Sequence, residues 1–282
     1  AHVAVIQDGN RRYAKKRGNE ATDGHRAGAD TTEQVLQWCS DLGVEELTLY
    51  AFSTENFDRS KEERDALFDL LTEKLRSFAD RSEVHEQGVR IRSIGETDRL
   101  PERVQEAIEY AERRTADYDE FYLNVALAYG GRAELLGVAR SLAAEAAAGE
   151  LDPESATVEE IEDRLTAGPS QAVDLIIRTG GAERTSNFLP WHANGNEAAV
   201  YFCTPYWPEF SRIDFLRAIR TYESRQDSWR RTRAQRAAAL VGALGDVELE
   251  EAARIVRQFR GSVPEADLDN PDESDEGSSS VS

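Results

Sequence analysis

The sequence lacks several features that would assign it to a common class of protein. It contains no methionine and only two cysteines, Cys39 and Cys203, among its 282 residues. Two cysteines are too few for a disulfide scaffold or a cysteine-based zinc site, so we expect both to be small buried apolar residues. No apolar run approaches the ~18 residues of a membrane span, and no signal peptide is recognisable. We therefore expect a soluble protein of the cytoplasm.

Lysine is nearly absent although the chain is highly charged. Asp and Glu number 54 against 34 Lys and Arg, which gives a net charge of −20, and only 4 of the 34 basic residues are lysines. A diffuse acidic excess of this kind is typical of a surface adapted to very high salt. It argues against a nucleic-acid-binding protein, which would carry a basic face.

Apolar runs and amphipathic stretches alternate along most of the chain. The apolar runs predict six strands, over residues 2–6, 47–52, 89–94, 122–129, 173–179 and 198–202. Helical periodicity predicts helices over residues 28–42, 61–81, 101–115, 132–148, 158–167 and 213–239. This alternation predicts one α/β domain, residues 1–263, with a parallel sheet flanked by helices. Residues 264–282 are acidic and rich in serine, and we expect a disordered tail there.

The segment after the first predicted strand combines an acid, a glycine and many bases. Asp8 and Gly9 lie in a predicted turn between Gln7 and Asn10. Five bases follow within seven residues, namely Arg11, Arg12, Lys15, Lys16 and Arg17. A tight turn at the start of a helix leaves backbone N–H groups free for phosphate oxygens, and an Asp beside such a cradle is a natural Mg²⁺ ligand. The alternative is an ordinary turn followed by a solvated basic face.

A second cluster follows the fifth predicted strand, where a parallel sheet binds its ligands outside the carboxyl ends of its strands. Arg178, Arg184 and Ser186 flank two glycines there. The glycines allow close backbone approach, and two arginines with a serine can hold a diphosphate through paired hydrogen bonds. The alternative is a loop with surface salt bridges.

Two further segments are ambiguous. After the second predicted strand, Ser53, Asn56 and Arg59 could face a substrate while Phe57 walls an apolar channel. Plain core and turn packing explains that segment equally well. His25 lies just ahead of the helix predicted to begin at residue 28, where a histidine is more often a structural or capping residue than a catalytic one.

Six segments, in their order and spacing, resemble one enzyme family. They are HVAVIQDGNRRYAKKRG, GHRAGA, LTLYAFSTENFDRS, LNVALAYGGR, DLIIRTGGAERTSNF and WPEF. Together they resemble the cis-prenyltransferases, the family of undecaprenyl and dehydrodolichyl diphosphate synthases, over about residues 2–225. Each segment alone is a weak signal, whereas the ordered set is specific. With the acidic composition, the resemblance points to a halophilic archaeon.

The resemblance implies a six-stranded, largely parallel sheet ringed by helices, with an apolar tunnel and usually in a homodimer. It implies a Mg²⁺-dependent enzyme that extends an allylic diphosphate, such as farnesyl or geranylgeranyl diphosphate, with isopentenyl diphosphate, each new double bond being cis. We expect a medium-to-long polyprenyl diphosphate, the precursor of a dolichol-type or similar glycan carrier. Peripheral contact with the inner face of the cell membrane is expected where such a product leaves.

The resemblance also implies roles for individual residues. Asp8 and Asn56 are implied to be catalytic, and Asp8 with Glu197 to bind Mg²⁺. The residues implied to bind the allylic diphosphate are Gly9, Asn10, Arg11, Arg12, His25, Ser53, Phe57 and Arg59. Those implied to bind isopentenyl diphosphate are Arg178, Arg184 and Ser186.

Some positions depart from the family pattern. Ala21 stands where the family often has an arginine of the phosphate clamp, and we expect Arg26 or Arg17 to replace it. Arg11 stands where the family commonly has glycine. Glu197 keeps its family distance from the preceding tryptophan, but two extra residues separate it from the strand that follows.

The sequence favours no single product length. In the family, the residue that starts the fourth strand can form the tunnel floor, and a bulky Phe121 at that place would shorten the product. A small residue after the second strand keeps the tunnel open, and Ala51 would have that opposite effect.

Two other functions are weighed against this one. A trans-prenyltransferase performs related chemistry on an all-helical fold with aspartate-rich segments, but this chain contains no Asp-Asp pair. A non-catalytic scaffold subunit of a heteromeric cis-prenyltransferase would lack the carboxylate and the paired arginines. The presence of Asp8, Arg178, Arg184 and Ser186 favours an enzyme.

Overall fold

Six parallel strands form one sheet in the computed structural model, which describes residues 1–165, 172–194 and 198–230. The strands are β1 (His2–Ile6), β2 (Glu46–Ser53), β3 (Val89–Ile94), β4 (Phe121–Tyr129), β5 (Leu175–Arg178) and β6 (Ala199–Phe202). Their order across the sheet is β3, β4, β2, β1, β5, β6, and every neighbouring pair is parallel. The predicted α/β class is confirmed, and the sheet excludes the all-helical alternative.

Helices connect these strands and cover the sheet. In the described part of the chain they are α1 (Asn10–Lys16), α2 (Ala21–Asp41), α3 (Lys61–Ala79), α4 (Ser82–Glu86), α5 (Glu102–Arg114), α6 (Gly131–Ala148), α7 (Val158–Arg164), α8 (Pro190–Asn194) and α9 (Arg212–Arg230). The helix predicted over residues 61–81 is α3, which ends two residues earlier, and the short α4 that follows it was not predicted. Residues 231–239 of the last predicted helix, the predicted domain end at residue 263 and the predicted tail lie outside the described residues.

Local sequence explains several helix boundaries. The Ser60 hydroxyl accepts a hydrogen bond from the Glu63 N–H at 3.3 Å, which satisfies a free donor in the first turn of α3. Gly43 follows the end of α2 with a φ of +67°, a left-handed conformation that glycine adopts without strain. Pro101 lies immediately before α5, where its missing N–H is tolerated.

The sheet is covered on both faces by apolar side chains. Along β1, Val3 and Val5 belong to one apolar cluster, whereas Ala4 and Ile6 belong to another, because successive side chains of a strand point to opposite faces. All four are buried, which explains why the strand is a continuous apolar run. Both cysteines are buried in the first cluster as free thiols, as predicted.

The strand order places the ends of β1, β2 and β5 side by side. β1 pairs with β2 on one side and with β5 on the other, and Ile6 at the end of β1 lies opposite Arg178 at the end of β5. Ligand crevices of open parallel sheets form at such a switch point, outside the carboxyl ends of the strands. Ala1–Arg225 form one compact unit. Within the described ranges, no helix combines the length and the apolar composition needed to cross a bilayer.

Candidate active site

Asp8 and Arg178 meet at the carboxyl ends of two neighbouring strands. Asp8 follows β1, and Arg178 is the last residue of β5. Arg178 donates a hydrogen bond to Asp8 Oδ2 at 2.8 Å, and Arg12 donates to Asp8 Oδ1 at 3.0 Å. Burial alone would raise the pKa of the Asp8 carboxyl, but the hydrogen bond from Arg178 and the charge of Arg12 hold that pKa below its usual value. Asp8 is therefore an anion at neutral pH.

Arg178 is fixed by the loop that follows it. Its guanidinium also donates to the backbone oxygen of Arg184 at 2.6 Å and to the hydroxyl of Ser186. Only 4% of Arg178 is exposed, so protein contacts set the direction of its N–H groups. The side chain of Arg184 extends from an exposed part of the same loop. The three residues predicted to hold a diphosphate thus lie beside Asp8, Arg178 at the end of β5 and Arg184 and Ser186 in the loop that follows.

Two glycines allow this loop and the first turn to approach Asp8 closely. Gly180 has a φ of +82°, and a Cβ there would lie 2.6 Å from Arg12 Nη2 and 3.1 Å from the Asp8 backbone oxygen. The Gly180 carbonyl accepts a hydrogen bond from Arg12 at 2.8 Å. Gly9 has a φ of +107°, and a Cβ there would lie 2.7 Å from Cδ1 of Tyr206. Larger residues at either position would disturb the packing around Asp8.

Asn10 and His25 line the site from two different helices. Asn10 begins α1, and His25 lies within α2, so the prediction that His25 precedes a helix is wrong. Asn10 Oδ1 and His25 Nε2 are buried and have no hydrogen-bond partner among the described residues. A ligand oxygen could accept a hydrogen bond from His25 Nε2, whereas Asn10 Oδ1 can only accept one. Burial, followed by the charges of Arg59 and Arg11, lowers the pKa of His25 to about 4. His25 is therefore neutral at pH 7.

The segment after β2 forms a cap as well as part of the site. A short 3₁₀-helix covers Thr54–Asp58, and Asn56 Oδ1 accepts a hydrogen bond from the Ser53 N–H at 3.1 Å. Ser53, Asn56 and Arg59 all line a cavity. Phe57 packs against the apolar core instead. The segment therefore contributes to the cavity through Ser53, Asn56 and Arg59 and to the core through Phe57.

Two cavities meet at these residues. The first, which we call the polar cleft, has a volume of about 660 Å³. Its lining includes four bases, namely Arg11, Arg12, Lys15 and Arg59. The second, which we call the apolar cavity, has a volume of about 440 Å³ and is lined by Arg178, Arg184 and Ser186 together with many leucines. Both cavities are lined by Asp8, Asn10 and His25. This arrangement suits a molecule with a phosphate head and a hydrocarbon tail.

Some predicted roles fall elsewhere in the molecule. Glu197 lies outside the described residues. Arg26 pairs with Asp23 at 3.9 Å on the surface, and Arg17 lies over the Tyr13 ring at 4.5 Å from its centroid. Neither arginine lines the polar cleft, where Ala21 leaves space and Lys15 and Arg11 supply charge.

Sequence reasoning missed two polar contributors to the site. The guanidinium carbon of Arg12 lies 5.2 Å from the centroid of the Tyr206 ring, a cation–π contact that helps to fix Arg12. Gln7 donates a hydrogen bond to the Thr32 hydroxyl at 2.7 Å and lines both cavities. Gln7 adjoins the Asp8 turn and Tyr206 adjoins the WPEF segment, so their positions in the sequence are the signals that could have indicated them.

A metal ion at this site would depend on few protein ligands. In the part of the chain that the structure describes, no three His, Cys, Asp or Glu side chains are grouped to hold one. Mg²⁺ is commonly bound by one or two carboxylates together with substrate phosphates. Asp8 beside a basic cleft fits that donor set.

Comparison with known proteins agrees with the geometry of the site. The prenyltransferase family model described as undecaprenyl diphosphate synthase matches residues 6–230. A tritrans,polycis-undecaprenyl-diphosphate synthase (geranylgeranyl-diphosphate specific) of the halophilic archaeon Halobacterium salinarum is 67% identical over 265 residues, which cover 94% of this chain and 87% of the relative. The protein of the same name from Methanocaldococcus jannaschii is 49% identical over 227 residues, 80% of each chain.

Solved structures share the fold. Lavandulyl diphosphate synthase from Lavandula x intermedia, solved with dimethylallyl diphosphate, is 34% identical with a TM-score of 0.73, covering 78% of this chain and 94% of that one. The structure described as a probable undecaprenyl diphosphate synthase from Campylobacter jejuni is 31% identical with a TM-score of 0.63, covering 79% of this chain and 94% of that one. The chain therefore belongs to the undecaprenyl diphosphate synthase family of cis-prenyltransferases, enzymes that condense isopentenyl diphosphate onto an allylic diphosphate primer.

Proposed function

We propose that this chain extends geranylgeranyl diphosphate with successive isopentenyl units to a long polyprenyl diphosphate of about undecaprenyl size. The observation that carries the proposal is the ion pair between Asp8 and Arg178 where the polar cleft and the apolar cavity meet. Each substrate has a diphosphate head and a hydrocarbon part, and the two cavities match these two chemistries. The names of the archaeal relatives support the choice of primer and product.

Each site residue has a proposed role in this reaction. The allylic diphosphate is bound in the polar cleft by the residues that the resemblance implies, among them Asn10, Arg12 and His25. Isopentenyl diphosphate is bound by Arg178, Arg184 and Ser186. Neutral His25 can donate one hydrogen bond to a phosphate oxygen without adding charge. We propose that Arg26 and Arg17 have no part in this cleft.

The bond changes explain why the site is rich in donors. The allylic C–O bond breaks and its electron pair leaves with the diphosphate, while the terminal alkene carbon of the second substrate bonds to the allylic carbon. The positive charge passes to the substituted alkene carbon, and a proton then leaves the carbon between it and the diphosphate-bearing carbon, which makes the product an allylic diphosphate again; a diphosphate oxygen is a sufficient base. Arginine N–H groups that are already oriented stabilise the charge that develops on the leaving group.

Asp8 is the proposed ligand of Mg²⁺, with Glu197 as the second ligand that the resemblance implies. When bound, the ion would neutralise charge on the departing diphosphate. Asp8 is also oriented for this role by its two arginines, which hold it ionised.

Two assembly proposals accompany this function. A homodimer is supported by apolar side chains that are exposed on the edge strand β6 (Val200) and on α9 (Ile213 and Leu216). Peripheral contact with the cell membrane is proposed for product release, because a long polyprenyl chain partitions into lipid rather than water. The product would serve as precursor of a glycan carrier.

The test is incorporation of labelled isopentenyl diphosphate by the purified full chain, with Mg²⁺ in molar KCl. We expect butanol-extractable label, most of it with geranylgeranyl diphosphate as primer. Asp8→Asn should lower turnover by about 10²–10³-fold, as loss of one preorganised electrostatic group does. Asp23→Asn, on the exposed part of α2, is the matched control and should leave turnover unchanged.

Three results would argue against the proposal. Turnover that is insensitive to Asp8→Asn contradicts the role of this carboxylate. A preference for a shorter primer contradicts the geranylgeranyl assignment. Incorporation that requires a second, added protein identifies the chain as the scaffold subunit.

A further inference from the structure

Charged side chains interrupt the aliphatic wall of the apolar cavity. Glu33 on α2 and Lys74 on α3 line this cavity, and the residues around them are leucines such as Leu36, Leu71 and Leu75. Lys74 Nζ lies 3.3 Å from Glu33 Oε1. A hydrocarbon chain makes no favourable polar contact with such a pair, so the pair does not serve to bind the chain.

A smaller cavity adjoins the same ion pair. Its volume is about 150 Å³, and it shares Glu33, Leu36 and Phe78 with the apolar cavity. Arg81 lines the smaller cavity only, whereas Lys74 lines the apolar cavity only. Arg81 Nη2 lies 2.8 Å from Glu33 Oε1, the oxygen that also faces Lys74. The two ion pairs of Glu33 therefore lie between the two cavities.

The apolar cavity is small for the product of the proposed reaction. Its volume of about 440 Å³ is near the lower end of the ~300–1,000 Å³ of pockets that enclose a drug-sized ligand. A geranylgeranyl chain is already of that class and becomes longer by one isoprene unit at each addition. The end of the growing chain must therefore reach the cavity walls before synthesis is complete.

We propose that Glu33, Lys74 and Arg81 form a charged gate that sets the length of the product. The proposal rests on the proposed function, because it requires a hydrocarbon chain in the apolar cavity. A chain end that reaches the gate must separate the ion pairs and bring hydrocarbon against charged groups, which costs free energy. Elongation slows at that point unless the gate opens toward the smaller cavity.

Exposure of the three side chains allows the gate to open. The exposed fractions are 27% for Glu33, 32% for Lys74 and 38% for Arg81. Each charged group can therefore turn toward water instead of being trapped in the interior. Phe121 lines the smaller cavity, so a chain end that passes the gate would meet the phenylalanine that the sequence predicts as a floor.

The test compares product lengths by mass spectrometry, with geranylgeranyl diphosphate as primer and excess isopentenyl diphosphate. The double variant Glu33→Gln/Lys74→Met keeps the size of both side chains and removes their charge. We expect its main product to be longer than that of the wild type by at least one isoprene unit. Lys74→Arg retains the charge and should give products of wild-type length.

The matched control is an ion pair that also involves α3, the helix of Lys74, but lines neither cavity. Arg103 on α5 pairs with Asp69 on α3 at 2.9 Å. Asp69→Asn/Arg103→Met should therefore leave product length unchanged. If the Glu33→Gln/Lys74→Met variant fails to fold, Lys74→Met alone removes the charge that lines the apolar cavity, while Glu33 keeps Arg81 as a partner, and longer products are again expected.

Several outcomes would overturn the gate. The first is that the charge-removing variants make products of unchanged or shorter length. The second is that the Asp69→Asn/Arg103→Met control lengthens the product equally. The third is that the charge-removing variants lose synthesis altogether while Lys74→Arg retains it. Failure of the proposed function is distinguishable from all of these. In that case the wild type itself incorporates no label with any primer.

Discussion

His25 is a buried titratable group whose charge state matters to the site. Its pKa of about 4 keeps it neutral at physiological pH. A proton on His25 would add positive charge next to Arg59 and Arg11, in a place with little water. The neutral ring therefore adds a hydrogen-bonding group to the polar cleft without adding to the repulsion among its bases.

The low pKa of His25 predicts a loss of stability in acid. Between pH 6.5 and about 4 the unfolded chain binds a proton at His25 that the folded chain does not bind, so stability falls as the pH is lowered through this window. The difference corresponds to about 3 kcal/mol of unfolding free energy. Urea unfolding at constant KCl should show that His25→Asn loses less unfolding free energy than the wild type over this pH window, by about that amount. Parallel pH profiles of the two proteins would contradict this prediction.

At the level of the loop after β5, Gly180 and Gly181 provide a matched pair of substitutions. Both have positive φ, +82° and +75°, but a Cβ at Gly180 would lie 2.6 Å from Arg12 Nη2, whereas one at Gly181 meets no described atom within 4 Å. Alanine at either position should cost about 1–2 kcal/mol for its left-handed backbone. Only Gly180→Ala also displaces Arg12, so it alone should lower turnover, by about 10²-fold.

This comparison separates strain from geometry. Thermal unfolding should show destabilisation in both variants, and the incorporation assay should show a defect in Gly180→Ala only. Equal turnover in the two variants would mean that the position of Arg12 is unimportant for catalysis.

The elements differ in how well sequence predicts them. The strands could be predicted to within two residues at either end because burial on both faces makes them continuous apolar runs. The start of α2 could not, because Gly24 and Gly28 lower local helix propensity. A Cβ at Gly24 would lie 2.1 Å from the Asn10 backbone oxygen, so these glycines are required by close packing against α1. Tertiary contact, rather than local preference, places the start of this helix.

The part of the candidate site that depends on strand order could be predicted from the sequence, whereas the part that depends on helix packing could not. Asp8 follows β1 and Arg178 ends β5, and parallel strands bring their carboxyl ends to one edge, so the proximity of the two residues is implied by topology. The position of Glu33 between two cavities depends instead on how α2 and α3 pack, and neither helix pattern reveals it. The burial of His25 Nε2, which has no hydrogen-bond partner among the residues that the structure describes, likewise depends on packing between distant segments.

The whole molecule carries a net charge of −20, and repulsion among like charges opposes the compact state. At 1 M salt the Debye length is only ~3 Å, so this repulsion is largely screened. We expect the melting temperature to rise steeply with KCl up to about 1 M and more slowly above it. Circular dichroism measures this, with sucrose of equal osmolality as the non-ionic control. An equal rise in sucrose would show that screening is not the cause.

The ion pair between Asp8 and Arg178 affects how substrate binding responds to high salt. Asp8 is an anion of the protein's own at the place where two guanidinium groups converge. A phosphate oxygen that binds these arginines therefore exchanges with a tethered carboxylate instead of capturing bare cations. Such an exchange releases fewer bound salt ions, so we expect substrate affinity to depend only weakly on the high salt concentration that the acidic surface is suited to.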